Sequence, residues 1–132
     1  MATIKSFEEI ESWKLARELS KKVGKIIDSG RFKKSFRLID QIEGSSGSIM
    51  DNIAEGFERG TRAEFIQFLG YAKGSCGEFR SQLYRALDRQ YITRKEFDEL
   101  IDMAKKTSGY LQKFIEYLLN SEIAGSRKNL KP

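Results

Sequence analysis

The stretch from Glu64 to Arg89, EFIQFLGYAKGSCGEFRSQLYRALDR, carries two periodic sets of residues, and both periods are helical. Phe65, Leu69, Ala72, Cys76, Phe79, Leu83 and Leu87 recur every three or four positions, and so do Gly70, Gly74, Gly77 and Ser81. Each set lies along one stripe of an α-helix, and the two stripes stand roughly 150° apart. A glycine inside a helix costs about 1 kcal/mol against alanine, so these three together cost roughly 3 kcal/mol. A face turned to water has no use for that cost. A second helix coming close does, because only small side chains let two helix axes approach. The segment therefore predicts a helix packed on both sides, against its own bundle and against something else.

Punctuation on either side extends this reading to the whole chain. Ser6 with Glu9, Thr61 with Glu64, and Thr93 with Glu96 each have the spacing of a capping box. In such a box the hydroxyl accepts from the backbone three residues on and the Glu reaches back, marking a helix start. Gly60 precedes Thr61 where a helix end favours glycine, and Asp28-Ser29-Gly30 is a further turn signal. The single proline, Pro132, is the last residue, so none interrupts a helix. Four helices follow, at about 7–28, 34–58, 62–90 and 94–119, spanning roughly 30–40 Å each at 1.5 Å per residue. Long helices of similar length joined by short loops predict an all-α, up-and-down antiparallel four-helix bundle over residues 1–120, with a flexible basic tail over 121–132.

The expected core stripes are Trp13, Ala16, Leu19, Val23 and Ile27 on helix 1 and Ile39, Ile42, Ile49, Ile53 and Phe57 on helix 2. On helix 4 they are Phe97, Leu100, Ile101, Ala104, Leu111, Ile115 and Leu118. Two apolar sets fall off the stripes: Phe7 and Ile10 on the far side of helix 1, and Met103, Tyr110, Phe114 and Tyr117 beside the helix 4 stripe. Either set widens the monomer core or serves a subunit interface.

The 132 residues suit one domain, 39% hydrophobic and 33% charged, as for a folded helical protein. No apolar run reaches the ~20 residues of a membrane span, and the N-terminus lacks a signal-peptide pattern, so a cytoplasmic location without membrane contact is expected. Histidine is absent, which removes the usual general base and the commonest metal ligand, and Cys76 is alone. Carboxylates such as Glu55 and Glu78 lack the Glu-x-x-His element of bundle metal sites. No metal, cofactor, small-molecule substrate or catalytic residue is expected, and a carboxylate metal enzyme is the weakest of the functional classes.

Asn52 and Glu55 on helix 2, and Ser75, Glu78 and Gln82 on helix 3, flank the core. They read either as a structural polar cluster fixing helix register or as a ligand or partner contact. Charge is more informative. Lys14, Arg17, Lys21, Lys22, Lys25, Arg31, Lys33, Lys34 and Arg37 face only Glu18 and Asp28 in the same segment, a net +7 against +5 for the whole chain. Lys14, Arg17, Lys21 and Lys25 share the face of helix 1 opposite its core. Such a run is either a solvated helix face or a site for an anionic partner, most naturally a nucleic acid backbone. No aromatic interleaves this helix 1 stripe as in a single-strand stacking platform, and no helix-turn-helix or zinc-finger pattern is present for base readout, so any nucleic acid is expected to be bound mostly through its phosphates.

The run Asn52-Ile53-Ala54-Glu55-Gly56-Phe57, followed by Arg59-Gly60, Glu64-Phe65 and Phe68-Leu69, resembles a known family. So do Gly74-Ser75, Glu78 and the opening Phe7-Glu8-x-Ile10-x-x-Trp13. The family is that of the small four-helix proteins first noticed as reading frames inside intervening sequences of bacterial 23S ribosomal RNA genes. The resemblance covers residues 6–119. It implies an up-and-down bundle assembling as a ring-like homopentamer. It also implies similarity to the accessory protein of diversity-generating retroelements, a basic pentamer that binds nucleic acid and a reverse transcriptase. Where the family tends to carry larger residues and a proline, this chain has Gly44-Ser45-Ser46-Gly47-Ser48-Ile49-Met50-Asp51. The leading expectation is a non-enzymatic homo-oligomer presenting basic surface to RNA or DNA. The rival is an assembly scaffold that binds protein and no nucleic acid.

Overall fold

A break at Ile10 separates the first capping box from the first long helix. In the computed structural model, which describes residues 3–121, Phe7–Glu9 form a short 3₁₀ turn. The box of Ser6 and Glu9 closes that turn, and Ile10 is extended (φ −74°, ψ 124°) before α1 begins. The change of direction buries Ile10 at 2% exposure and sets Phe7 edge-on to Trp13, ring centroids 5.2 Å apart. The expectation of one continuous helix from residue 7, with Phe7 and Ile10 on its far side, is thus corrected: both pack inward.

Four helices follow: α1 (Glu11–Asp28), α2 (Phe36–Glu58), α3 (Arg62–Asp88) and α4 (Arg94–Leu119). Among the described residues there is no strand, and no helix is long and apolar enough to cross a membrane. The tail expected from 121 onward lies, from residue 122, outside the described residues. Thr93 and Glu96 cap α4 in both directions. At α3 the Thr61 hydroxyl accepts from the Glu64 N–H, but the Glu64 carboxylate accepts a hydrogen bond from the Thr61 hydroxyl rather than from the Thr61 N–H. That box is half closed.

Consecutive helices run antiparallel, and polar pairs along the seams fix their register. Ser45 Oγ donates to Gln82 Oε1 at 2.6 Å and Arg85 donates to Gln41 Oε1 at 2.8 Å between α2 and α3. Lys73 donates to Gln112 at 2.6 Å between α3 and α4, and Lys22 pairs with Glu99 between α1 and α4. The expected stripes meet inside: Ala16, Leu19, Val23, Ile42, Ile49, Ile53, Leu69, Phe79, Leu83, Leu100, Ala104 and Leu111 are all buried. Phe114, from the flanking row of α4, is buried edge-on against Phe65. Tyr110 stays 42% exposed, so that row is divided between core and surface.

The close approach of two helices occurs at Gly56. A Cβ there would stand 2.5 Å from Phe68 Cβ and 3.2 Å from the Phe65 ring, so α2 touches α3 at a point where only glycine fits. At Gly70, Gly74 and Gly77 an added Cβ would meet nothing within 4 Å, and with Ser81 these residues are exposed. Among the described residues no helix covers the small-residue stripe.

Candidate nucleic-acid interface

The antiparallel arrangement brings the α1–α2 and α3–α4 turns to the same end of the bundle, and they are tied together there. Phe32 is fully buried with its ring 5.2 Å from Tyr91, and the Tyr91 hydroxyl lies 2.6 Å from Ser35 Oγ. Arg31 donates to Glu96 through its two terminal guanidinium nitrogens, one of them 2.9 Å from Oε1. Glu96 also accepts from the Thr93 N–H at 2.8 Å as part of the α4 cap. The Arg31 hydrogen bonds, helped by Thr93, pull the Glu96 carboxyl down to about 2 against a desolvation cost. This junction fixes how the two turns sit side by side.

Five of the nine cations at this end belong to the basic run of residues 14–37. Residues 25–37 bring Lys25, Arg31, Lys33, Lys34 and Arg37, and residues 85–96 add Arg85, Arg89, Arg94 and Lys95. Against these nine stand Asp28, Asp88 and Glu96 within the same stretches, a net charge of +6, and Asp98 just beyond them pairs with Arg94 at 3.1 Å. The other end, built from residues 5–14, 51–64 and 113–121, holds five cations and eight carboxylates, a net −3. Among the described residues, charge is separated along the helices. The α3–α4 cations were legible only after folding, because topology rather than sequence proximity sets them beside Lys33 and Arg37.

The stripe on α1 is differently placed. Lys14 and Lys21 are exposed beside Glu11 and Glu18 on their own helix, at 4.0 and 3.8 Å. Arg17 lies over the Trp13 ring, 5.9 Å from its centroid. Lys22 is paired with Glu99, whose carboxyl is held below its ordinary range chiefly by that hydrogen bond. Much of the basic run is therefore compensated within the chain. Lys33, Lys34 and Arg37 are exposed and form no ion pair among the described residues, and Arg89 meets only the Tyr91 ring, at 5.4 Å.

Asn52, Glu55, Ser75 and Glu78 are not brought together by any hydrogen bond among the described residues. Asn52 donates to the Ser48 carbonyl of its own helix at 2.8 Å, and Glu55 pairs with Arg59 at 2.9 Å. Ser75 is buried and Glu78 is exposed. The polar contacts that lock α2 to α3 are instead Ser45 with Gln82 and Gln41 with Arg85. The serines of the Gly44–Ser48 run explain themselves here: Ser45 and Ser46 are buried and return hydrogen bonds to Ile42 and Glu43 carbonyls, at 3.2 and 3.3 Å. On the far side, Ile10, Ser12, Tyr110, Phe114 and Tyr117 line an apolar surface pocket of about 370 Å³. Among the described residues no cluster of three or more His, Cys, Asp or Glu could hold a metal ion.

Comparison with known proteins agrees with this architecture. The family described as 23S rRNA-intervening sequence protein matches over residues 8–113. A crystal structure of a protein of unknown function from the S23 ribosomal protein family, from Bacteroides thetaiotaomicron VPI-5482, is similar with a TM-score of 0.72. The two chains are 24% identical over 80% of this chain and 98% of the other, a likeness of fold. No curated protein matches the chain.

Proposed function

The chain belongs to the 23S rRNA-intervening sequence protein family, and from that premise we propose that it is a non-enzymatic, ring-forming helical bundle whose cationic end binds the phosphate backbone of RNA or DNA. The observation that carries this reading is the +6 end, where Lys33, Lys34, Arg37 and Arg89 stand without carboxylate partners among the described residues. Uncompensated cations grouped on one end attract a polyanion and release its counterions on contact. This moves the interface away from the α1 stripe expected from sequence. The interface lies at the turns.

Assembly into a homopentamer is the second part of the proposal. Its support is the exposed stripe of Gly70, Gly74, Gly77 and Ser81, where the glycines' roughly 3 kcal/mol of lost helix propensity is not repaid by any contact among the described residues. A second copy of the chain repays it by close packing. A ring repeats the cationic end, so weak phosphate contacts combine by avidity.

The test is binding of random RNA and duplex DNA across a salt series. We expect log affinity to fall linearly with log salt, with a slope of about −0.9 per phosphate neutralised on duplex and about −0.7 on single strands. No binding at tens of micromolar protein in ~0.1 M salt overturns the reading, since ordinary non-specific affinity lies within that range. A protein-binding scaffold then takes its place. The internal pairing of Lys21, Lys22 and Arg31 with Glu18, Glu99 and Glu96 is the observation in that rival's favour.

A further inference from the structure

We infer that Phe36 is a platform for an unstacked base, so that the cationic end takes single-stranded nucleic acid in preference to duplex. The inference rests on the phosphate-binding reading above and names the form of strand it accepts. Phe36 opens α2 with 65% of its surface exposed, the most exposed large hydrophobic residue among those described. Phenylalanine is ordinarily buried. No other ring packs against it and no cation lies over it among the described residues, in contrast to Tyr84, which is 54% exposed but set edge-on to Phe97 at 4.9 Å.

The ring is held out by a rigid turn. Phe32 is sunk in the core, Ser35 is fastened to Tyr91, and the Lys33 and Ser35 N–H groups donate to the Gly30 and Phe32 carbonyls at 3.0 and 3.1 Å. Lys33 is held at φ 53°, a left-handed conformation that residues bearing a Cβ rarely adopt. Among the described residues the one other non-glycine residue at positive φ is Gln90, at 63°, in the neighbouring turn of the same end. Strained backbone kept on both turns fits a surface whose shape is needed.

Charge and ring together select the partner. Lys33, Lys34 and Arg37 flank Phe36 in sequence. The register set by Ser45–Gln82 and Gln41–Arg85, continued by one turn, brings Arg89 level with Arg37. A single strand offers both phosphates for the cations and a free base face for the ring, whereas in a duplex every base face is already stacked on its neighbours. An acidic protein surface would satisfy the cations and leave the ring uncovered.

The experiment measures binding of the full chain to labelled oligouridylate, to oligodeoxythymidylate and to a DNA duplex of equal length, with polyglutamate as an acidic-protein probe. Phe36→Ala should weaken single-strand binding about tenfold, in line with one base stacked on an aromatic, while duplex binding changes less than about twofold. Phe36→Trp should keep single-strand affinity, and its added tryptophan emission, measured against wild type with Trp13 alone, should be quenched by single strands and not by duplex. Equal weakening on both forms, no effect of Phe36→Ala, or no quenching overturns the stacking inference while leaving phosphate binding intact. Wild-type protein that binds polyglutamate but neither nucleic acid overturns the phosphate reading itself, and this inference with it.

Discussion

Arg31, in the turn after α1, grips Glu96, three residues into the cap of α4, across 65 positions of sequence. One carboxylate therefore caps a helix and ties two turns together. The pair is partly exposed, at 40% and 24% of the two side chains, so solvent screens it and its contribution to stability is modest.

The depressed Glu96 carboxyl makes this contribution pH-dependent. A group that sits at about 2 in the folded protein and near 4.5 when unfolded stabilises the fold above the higher value. The stability it supplies is lost as pH falls from about 4.5 to about 2. Glu96→Gln keeps a capping side chain but loses the ion pair. Urea denaturation should show the variant modestly less stable at neutral pH, with the gap closing as pH falls through that window.

Gly56 and Gly74 should respond oppositely to added bulk. Gly56→Ala places a methyl 2.5 Å from Phe68 Cβ, which forces α2 and α3 apart and should cost about 1–3 kcal/mol in thermal or urea unfolding. Gly74→Leu extends from a Cβ position that meets nothing within 4 Å among the described residues. It should leave helicity intact and break the oligomer, reducing the mass found by light scattering. A Gly74→Leu protein of unchanged mass and raised stability would show that this stripe faces water.

Cys76 is 1% exposed, and burial pushes its thiol up to about 12. Thiolate, the reactive form, is then nearly absent at neutral pH. Thiol-specific reagents should label the native protein only at the rate at which it opens, and rapidly in denaturant. Prompt labelling of the folded protein would contradict this burial.

Charge reversal distinguishes the two basic surfaces. Lys33→Glu with Lys34→Glu and Arg37→Glu should lower affinity for all sequences alike and flatten the salt slope. Lys14→Glu with Lys21→Glu should have a much smaller effect, because Glu11 and Glu18 already stand beside those lysines. Equal losses from both sets would return the interface to the α1 face.

Helix positions were legible because the chain states them: Thr61 and Thr93 open α3 and α4, and no proline interrupts the helices. The break at Ile10 was not, since neither glycine nor proline marks it and the 3₁₀ turn keeps a helix-like apolar spacing. Periodicity showed that Gly70, Gly74 and Gly77 share a face but not what lies opposite, while the lone Gly56, where helices do touch, forms no stripe. Of the candidate interface, Lys33, Lys34 and Arg37 stood out as a run. Arg85, Arg89 and Arg94 did not, because only the antiparallel return of α3 and the start of α4 carry them to the same end. The exposure of Phe36 depends on Phe32, rather than Phe36, filling the core beside Tyr91. Two phenylalanines four residues apart cannot be ranked for burial from their spacing.

The separation of +6 from −3 along the helices has a consequence for any closed assembly. Rotational symmetry gives every subunit the same sense relative to the axis. A ring whose axis runs along the helices is therefore two-faced, with all cationic ends on one rim and all acidic ends on the other. Like ends crowd together on each rim, so salt should favour ring closure while weakening polyanion capture. A polyanion laid across the basic rim would relieve the same repulsion, linking its own capture to closure of the ring.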